Sequence, residues 1–321
     1  MRSGLLQLAG RMRGSSVAIL MYHSVTEDPA SQEAYLGGIA HSLSQFRAQM
    51  ELLARRFHPT SLDEVGGFAR GEKDIPKGAV VVTFDDGYAD NFEVAATVLN
   101  EVGVPATVYA TVSCVDRKTL PWPARLRFCF RRTKKTEWSD SSGKIWPLMS
   151  DVERENAFLH SCDECCKLAG AVQDKYVAHL ANELDIQVPA ASGSLMMSYE
   201  QMRAFVRQGH IVGSHTMTHP NLAYVDPEDA RREMTESKQR LEKELGLAVQ
   251  HFAYPGPALS PNWTEQTVAI SRDAGYETAV TTIPGLARSG DDPLRLKRVA
   301  AGKTVEELRW SLETGFAGYL R

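Results

Sequence analysis

Two adjacent carboxylates stand where a buried strand should end. The stretch AVVVTFDDGYADN, residues 79–91, runs from apolar and β-branched residues straight into Asp85 and Asp86. Neighbouring carboxylates repel, and burial adds to the cost, so the pair implies a positive centre close by. A second stretch, GSHTMTHPNL at 213–222, places His215 and His219 four residues apart. On a helical turn or a tight strand-end loop that spacing lets both imidazoles face one point. Two histidines and one aspartate make the three protein ligands of a catalytic metal site, with a further position open to water. A metal there lowers the pKa of water from about 15.7 toward about 7. The remaining aspartate can then take the proton. In an extended strand Asp85 and Asp86 point to opposite faces, so both reach one site only if the backbone turns sharply. Gly87 is the residue expected to supply that turn.

The elements that must position these residues alternate between short β-branched runs and amphipathic helical segments. Expected strands are 16–25, 79–84, 105–112, 210–215, 250–255, 277–282 and 294–300. Between them the pattern predicts helices over SLSQFRAQMELLARRF, ADNFEVAATVLNEVG and YEQMRAFVRQG. Another starts at Asp226, a capping side chain followed by Pro227, and stops at Gly246. Seven strands with helical connections imply a closed or nearly closed barrel, in which chemistry collects at the C-terminal strand ends. His23, Asp85, Asp86, His215 and Tyr254 all fall at such ends.

TFDDG followed by H-[ST]-x-x-H resembles the polysaccharide deacetylases with the NodB homology domain, carbohydrate esterase family 4. The resemblance implies an α/β fold, a distorted (β/α)7 barrel with an inserted, mainly helical segment. It also implies that Asp85 is the catalytic base and that Asp86, His215 and His219 hold one divalent metal ion. Zinc is the expected ion, with cobalt or nickel as alternatives. FAYPGP at 252–257 is similar to the family's groove motif in its exopolysaccharide-modifying branch, which makes Tyr254 and Gly256 candidates for the groove and the oxyanion contact. Ala253 stands where the usual arginine would be, so whatever orients Asp85 must come from elsewhere. The late strand LRLKRVAAG lacks the family's usual histidine, and MYHSV supplies one on the first strand instead. By the same resemblance His23 becomes the candidate general acid.

The implied activity is hydrolysis of the N-acetyl amide of an amino sugar in a polysaccharide or glycan precursor. Its rivals are a deformylase or deacetylase of a lipid-linked sugar, a cyclic-amide hydrolase, and a catalytically dead glycan-binding barrel. A charged fraction of 24% and a net charge of −4 over 321 residues give no basic field for nucleic acid.

The whole of 1–321 reads as one barrel, interrupted from 113 to 197 by a segment too long for a simple crossover, a helical lid or subdomain. Between 117 and 135 it carries eight arginines and lysines around Trp122. Such a cluster suits either a solvated face or peripheral contact with a membrane. The N-terminal stretch, with Arg2, Arg11 and Arg13 among short apolar runs, is a poor secretory signal. No apolar run nears the roughly 20 residues of a membrane span. The expected location is cytoplasmic, with peripheral attachment to the inner membrane face as a variant. Five cysteines, three of them in CDECC, do not form a secreted disulfide framework or a complete zinc site and read as free thiols in a helix.

Overall fold

The computed structural model describes residues 16–188 and 195–319; the N-terminal arginines and the PAASGS linker lie outside that range. Seven strands form the barrel: β1 (Ser16–Tyr22), β2 (Ala79–Phe84), β3 (Ala106–Ala110), β4 (Ile211–Ser214), β5 (His251–Ala253), β6 (Thr278–Pro284) and β7 (Leu296–Ala300). Each falls within or beside one of the seven expected runs. Every neighbouring pair is parallel, and the ring follows chain order, closing where β7 and β2 both pair with β1. Two short strands extend it at the edges: His58–Pro59 beside β2, and Ala287–Arg288 antiparallel to β1.

Alternation along the strands decides which residues enter the barrel. Val17, Ile19, Val81, Tyr109, Ala253, Val280 and Leu296 share one core with helix Leu62–Ala69. Residues of the opposite phase, such as Leu20, Val82, Val108, Phe252 and Tyr254, pack in the larger core shared with the surrounding helices. Continued by two residues at a time, the inward phase reaches Asp85 from Val81, His215 from Ile211 and Arg298 from Leu296. It also reaches His23 from Ile19. The pleat therefore aims these four side chains at the same end of the barrel.

The helix Pro227–Leu245 begins and ends as its sequence implies. Asp226 Oδ1 accepts the Glu228 N–H at 2.9 Å, and Gly246 turns the chain with a φ of 71°. The segment expected at 113–197 contains helices Trp122–Arg132, Asp151–Cys165 and Gly170–Glu183, with a hairpin of Glu137–Ser139 and Ile145–Pro147. Trp122, Leu126, Phe130, Trp138, Phe158 and Leu180 give it a core of its own. All five cysteines are buried free thiols. Among the described residues no helix is long and apolar enough to cross a membrane.

Candidate metal centre and catalytic base

Asp85 and Asp86 leave β2 in different directions because the backbone turns at Asp86 itself. Asp86 has a φ of 72° and Gly87 one of 84°. The turn thus starts one residue earlier than Gly87, in a conformation costly for any residue with a Cβ. Gly87 is required for a second reason: a Cβ there would lie 3.2 Å from Ala110 Cα. The turn is tied down by Gly87 N–H to Asp85 O, Thr111 N–H to Asp86 O and Met197 N–H to Gly87 O, at 2.9–3.1 Å.

Asp86, His215 and His219 are all buried and offer ligand atoms within 4.8 Å of one another. His215 Nδ1 is engaged by the Ala253 carbonyl at 2.8 Å, which leaves its Nε2 toward Asp86 Oδ1 at 3.7 Å. His219 Nε2 lies 3.1 Å from the same oxygen. Asp86 Oδ1 is buried and meets no well-aligned hydrogen-bond donor among the described residues. An orphaned carboxylate oxygen facing two imidazole nitrogens is a donor set that suits a divalent cation. Burial opposes the Asp86 charge, yet His219, His23 and His215 hold its carboxyl below the usual range. Burial pushes the His215 imidazole down to about 4, which keeps it in the neutral form a metal requires.

The group that orients Asp85 is Arg298 on β7. Its Nη1 and Nη2 donate to Asp85 Oδ1 and Oδ2, each at 2.7 Å, while Nε donates to Thr281 O at 2.8 Å. Arg298 is only 1% exposed. Burial works against the Asp85 charge, but Arg298 first, with His215 and His23, holds the carboxyl below its ordinary value. Sequence reasoning had the strand LRLKRVA and missed this residue. The available signal was an arginine at the inward phase of a buried strand, which demands a buried anion.

His23, Asp85, Asp86, His215, His219 and Gly256 all line one cavity of about 280 Å³. The segment between β3 and β4 supplies part of its wall through Pro121, Pro123, Ala124, Arg127, Phe158 and Leu159. His23 is half-buried, and its carbonyl accepts from Asn91 Nδ2 at 2.7 Å. Tyr254 does not join them. It follows the outward phase, is fully buried, and bonds Leu294 O and Ser271 Oγ. Its N–H is spent on Val280 O. Gly256 is exposed at the cavity, and a Cβ there would meet Thr282 Cγ2 at 2.8 Å.

The basic cluster at 117–135 is largely matched within the chain. Arg117 and Arg125 pair with Asp174, Arg127 and Arg131 with Glu155, and Lys135 with Asp185.

The family model described as Polysaccharide deacetylase matches residues 72–154 and 172–279. The Bacillus subtilis (strain 168) protein YxkH is 21% identical over 286 residues, 89% of this chain and 71% of that one. The Streptococcus pyogenes deacetylase PplD, solved in complex with acetate, has a similar fold with a TM-score of 0.62. It is 18% identical, over 92% of this chain and 98% of that one. IcaB from Ammonifex degensii gives 0.61 at 19% identity, over 94% and 98%. With more than half of its length matched by the family, including both the aspartate pair and the histidine pair, the chain belongs to the polysaccharide deacetylase family.

Proposed function

We propose that the protein is a metal-dependent hydrolase that removes the N-acetyl group from an amino sugar in a polysaccharide or glycan precursor. The observation that carries this reading is Asp85, clamped at both oxygens by Arg298, beside the Asp86–His215–His219 cluster. A divalent cation held by those three residues, zinc by donor type and cobalt or nickel as alternatives, would polarise the amide carbonyl and acidify a water.

The chain's own residues then divide the remaining work. Asp85 accepts the proton of the attacking water, and Arg298 keeps its carboxylate charged and in one rotamer. The Gly256 N–H is the candidate donor to the developing oxyanion. His23 delivers a proton to the departing nitrogen, so the C–N bond breaks to acetate and a free amine. The acetate bound in the similar PplD is the acid such a reaction releases.

A lipid-linked amino sugar is the second reading of the substrate. Leu159 favours it, because it lines the cavity while remaining 51% exposed, on a helix whose Val152 is also exposed.

The test is acetate release from a panel of N-acetylated glycans and lipid-linked sugars, with and without chelator. Asp85→Asn should retain metal and lose activity by roughly 10²–10⁴-fold. Full activity in that variant, or in chelated wild-type protein, would sink the reading.

A further inference from the structure

The loop carrying the two histidines is strained. Thr216 and His219 have φ values of 67° and 66°, a region that side chains with a Cβ hold only when their surroundings impose it. The barrel supplies part of that support. Thr216 Oγ1 accepts the His219 N–H at 2.9 Å, and Glu233 accepts both the N–H and the hydroxyl of Thr218, at 2.7 and 2.5 Å.

The rest comes from the inserted segment. The Trp122 indole N–H donates to the His219 carbonyl at 2.9 Å, within a fully buried environment. The Gly170 N–H donates to Thr218 Oγ1 at 3.0 Å, and the Cys166 carbonyl accepts the Asn221 N–H at 2.9 Å. Trp122 also packs edge-on against the His219 ring, with centroids 6.5 Å apart. Its own position is fixed by the core of the insertion, where it is 1% exposed.

We infer that Trp122 is a positioning residue for the ligand His219, and that the inserted segment is a constituent of the metal centre rather than a cover over it. The inference rests on the metal reading above. Its physical content is that the indole N–H satisfies a buried carbonyl only while His219 keeps its left-handed conformation. Losing that donor removes one of the constraints that aim the imidazole at Asp86 and His215. Groups supporting a ligand in this way typically account for 10- to 100-fold in metal affinity.

The test is cobalt affinity, measured by competition with a chromophoric chelator. Trp122→Phe keeps the aromatic bulk and removes the donor, and should bind cobalt at least about tenfold more weakly than wild type. Incorporation of β-(3-benzothienyl)alanine at position 122, which exchanges only the N–H for sulfur, gives the same result in a side chain of unchanged shape. Phe130→Leu serves as the control, since Phe130 lies in the same core and packs edge-on against Trp138. It should lower the melting temperature and leave cobalt affinity unchanged. Wild-type affinity in either position-122 variant, or an equal loss in Phe130→Leu, would overturn the inference. If wild-type protein itself takes up no cobalt, the metal reading fails; if it does and position 122 has no effect, only this inference fails.

Discussion

Arg298 and Asp85 lie 213 residues apart in the chain and meet as a two-point ion pair inside the barrel, with both guanidinium ends at 2.7 Å. The pair keeps the Asp85 carboxyl below its ordinary pKa, so its stabilisation is complete above that ordinary value and is lost as pH falls through the folded one. Arg298→Met reverses the sign. Burial then acts unopposed by the guanidinium, the carboxyl pKa rises, and the acid limb of the kcat/KM profile moves to higher pH. At pH 7 the variant should lose about 3–5 kcal/mol in urea unfolding, the cost of leaving one buried charge unpaired. That loss should shrink in acid, where the lone carboxyl protonates. An acid limb that stays in place would remove Arg298 from the catalytic arrangement.

The role given to His23 separates amide from ester chemistry. An amine must be protonated to leave, whereas an aryl alcohol leaves as its anion. His23→Gln should therefore lose roughly 10²–10⁴-fold in kcat on an N-acetyl sugar while keeping most of its activity on an aryl acetate. Equal losses on both substrates would argue that His23 shapes the cavity instead.

His215 makes the metal-free protein sensitive to acid. Burial pushes its pKa from 6.5 down to about 4, against the pull of Asp85 and Asp86. The unfolded chain takes up a proton first, so stability is fully present above the unfolded value and falls between pH 6.5 and 4. The difference amounts to roughly 3 kcal/mol for this one group. Urea midpoints of metal-free protein at pH 7, 5.5 and 4.5 would reveal it, and His215→Asn should flatten the dependence. A flat profile in the wild type would contradict the burial argument.

Gly87→Ala tests the turn between the two aspartates. The new methyl group meets both a φ of 84° and Ala110 Cα at 3.2 Å. A loss of roughly 1–3 kcal/mol in thermal unfolding is expected from the backbone alone. Cobalt uptake should weaken in parallel, because Asp86 occupies the same turn.

Much of the site was legible because its residues are local and their types are chemically narrow. Asp85–Asp86 and His215–His219 each sit within one short stretch, and the pleat carries the inward phase to Asp85, His215 and His23. Tyr254 misled because a strand-end aromatic looks the same whichever phase it follows; the phase of β5 puts it among the helices. Arg298 and Trp122 were hidden for another reason. Their partners lie 213 and 97 residues away, and only the closed ring and the packed insertion bring them together. The basic cluster at 117–135 likewise looked like a free surface charge until its carboxylate partners, supplied by the later helices and Asp185, came into view.

The order of the strands around the ring puts Asp85 near its start and the counter-charge of Asp85 at its end. The candidate ligands Asp86, His215 and His219 are complete by residue 219, whereas the counter-charge of Asp85 lies on β7, the last strand of the ring in chain order. Without β7 the ring cannot close: Asp85 loses its guanidinium partner, and β1 loses one of the two barrel strands that flank it. A chain truncated before residue 296 should therefore lose acetate release even though it keeps Asp86, His215 and His219.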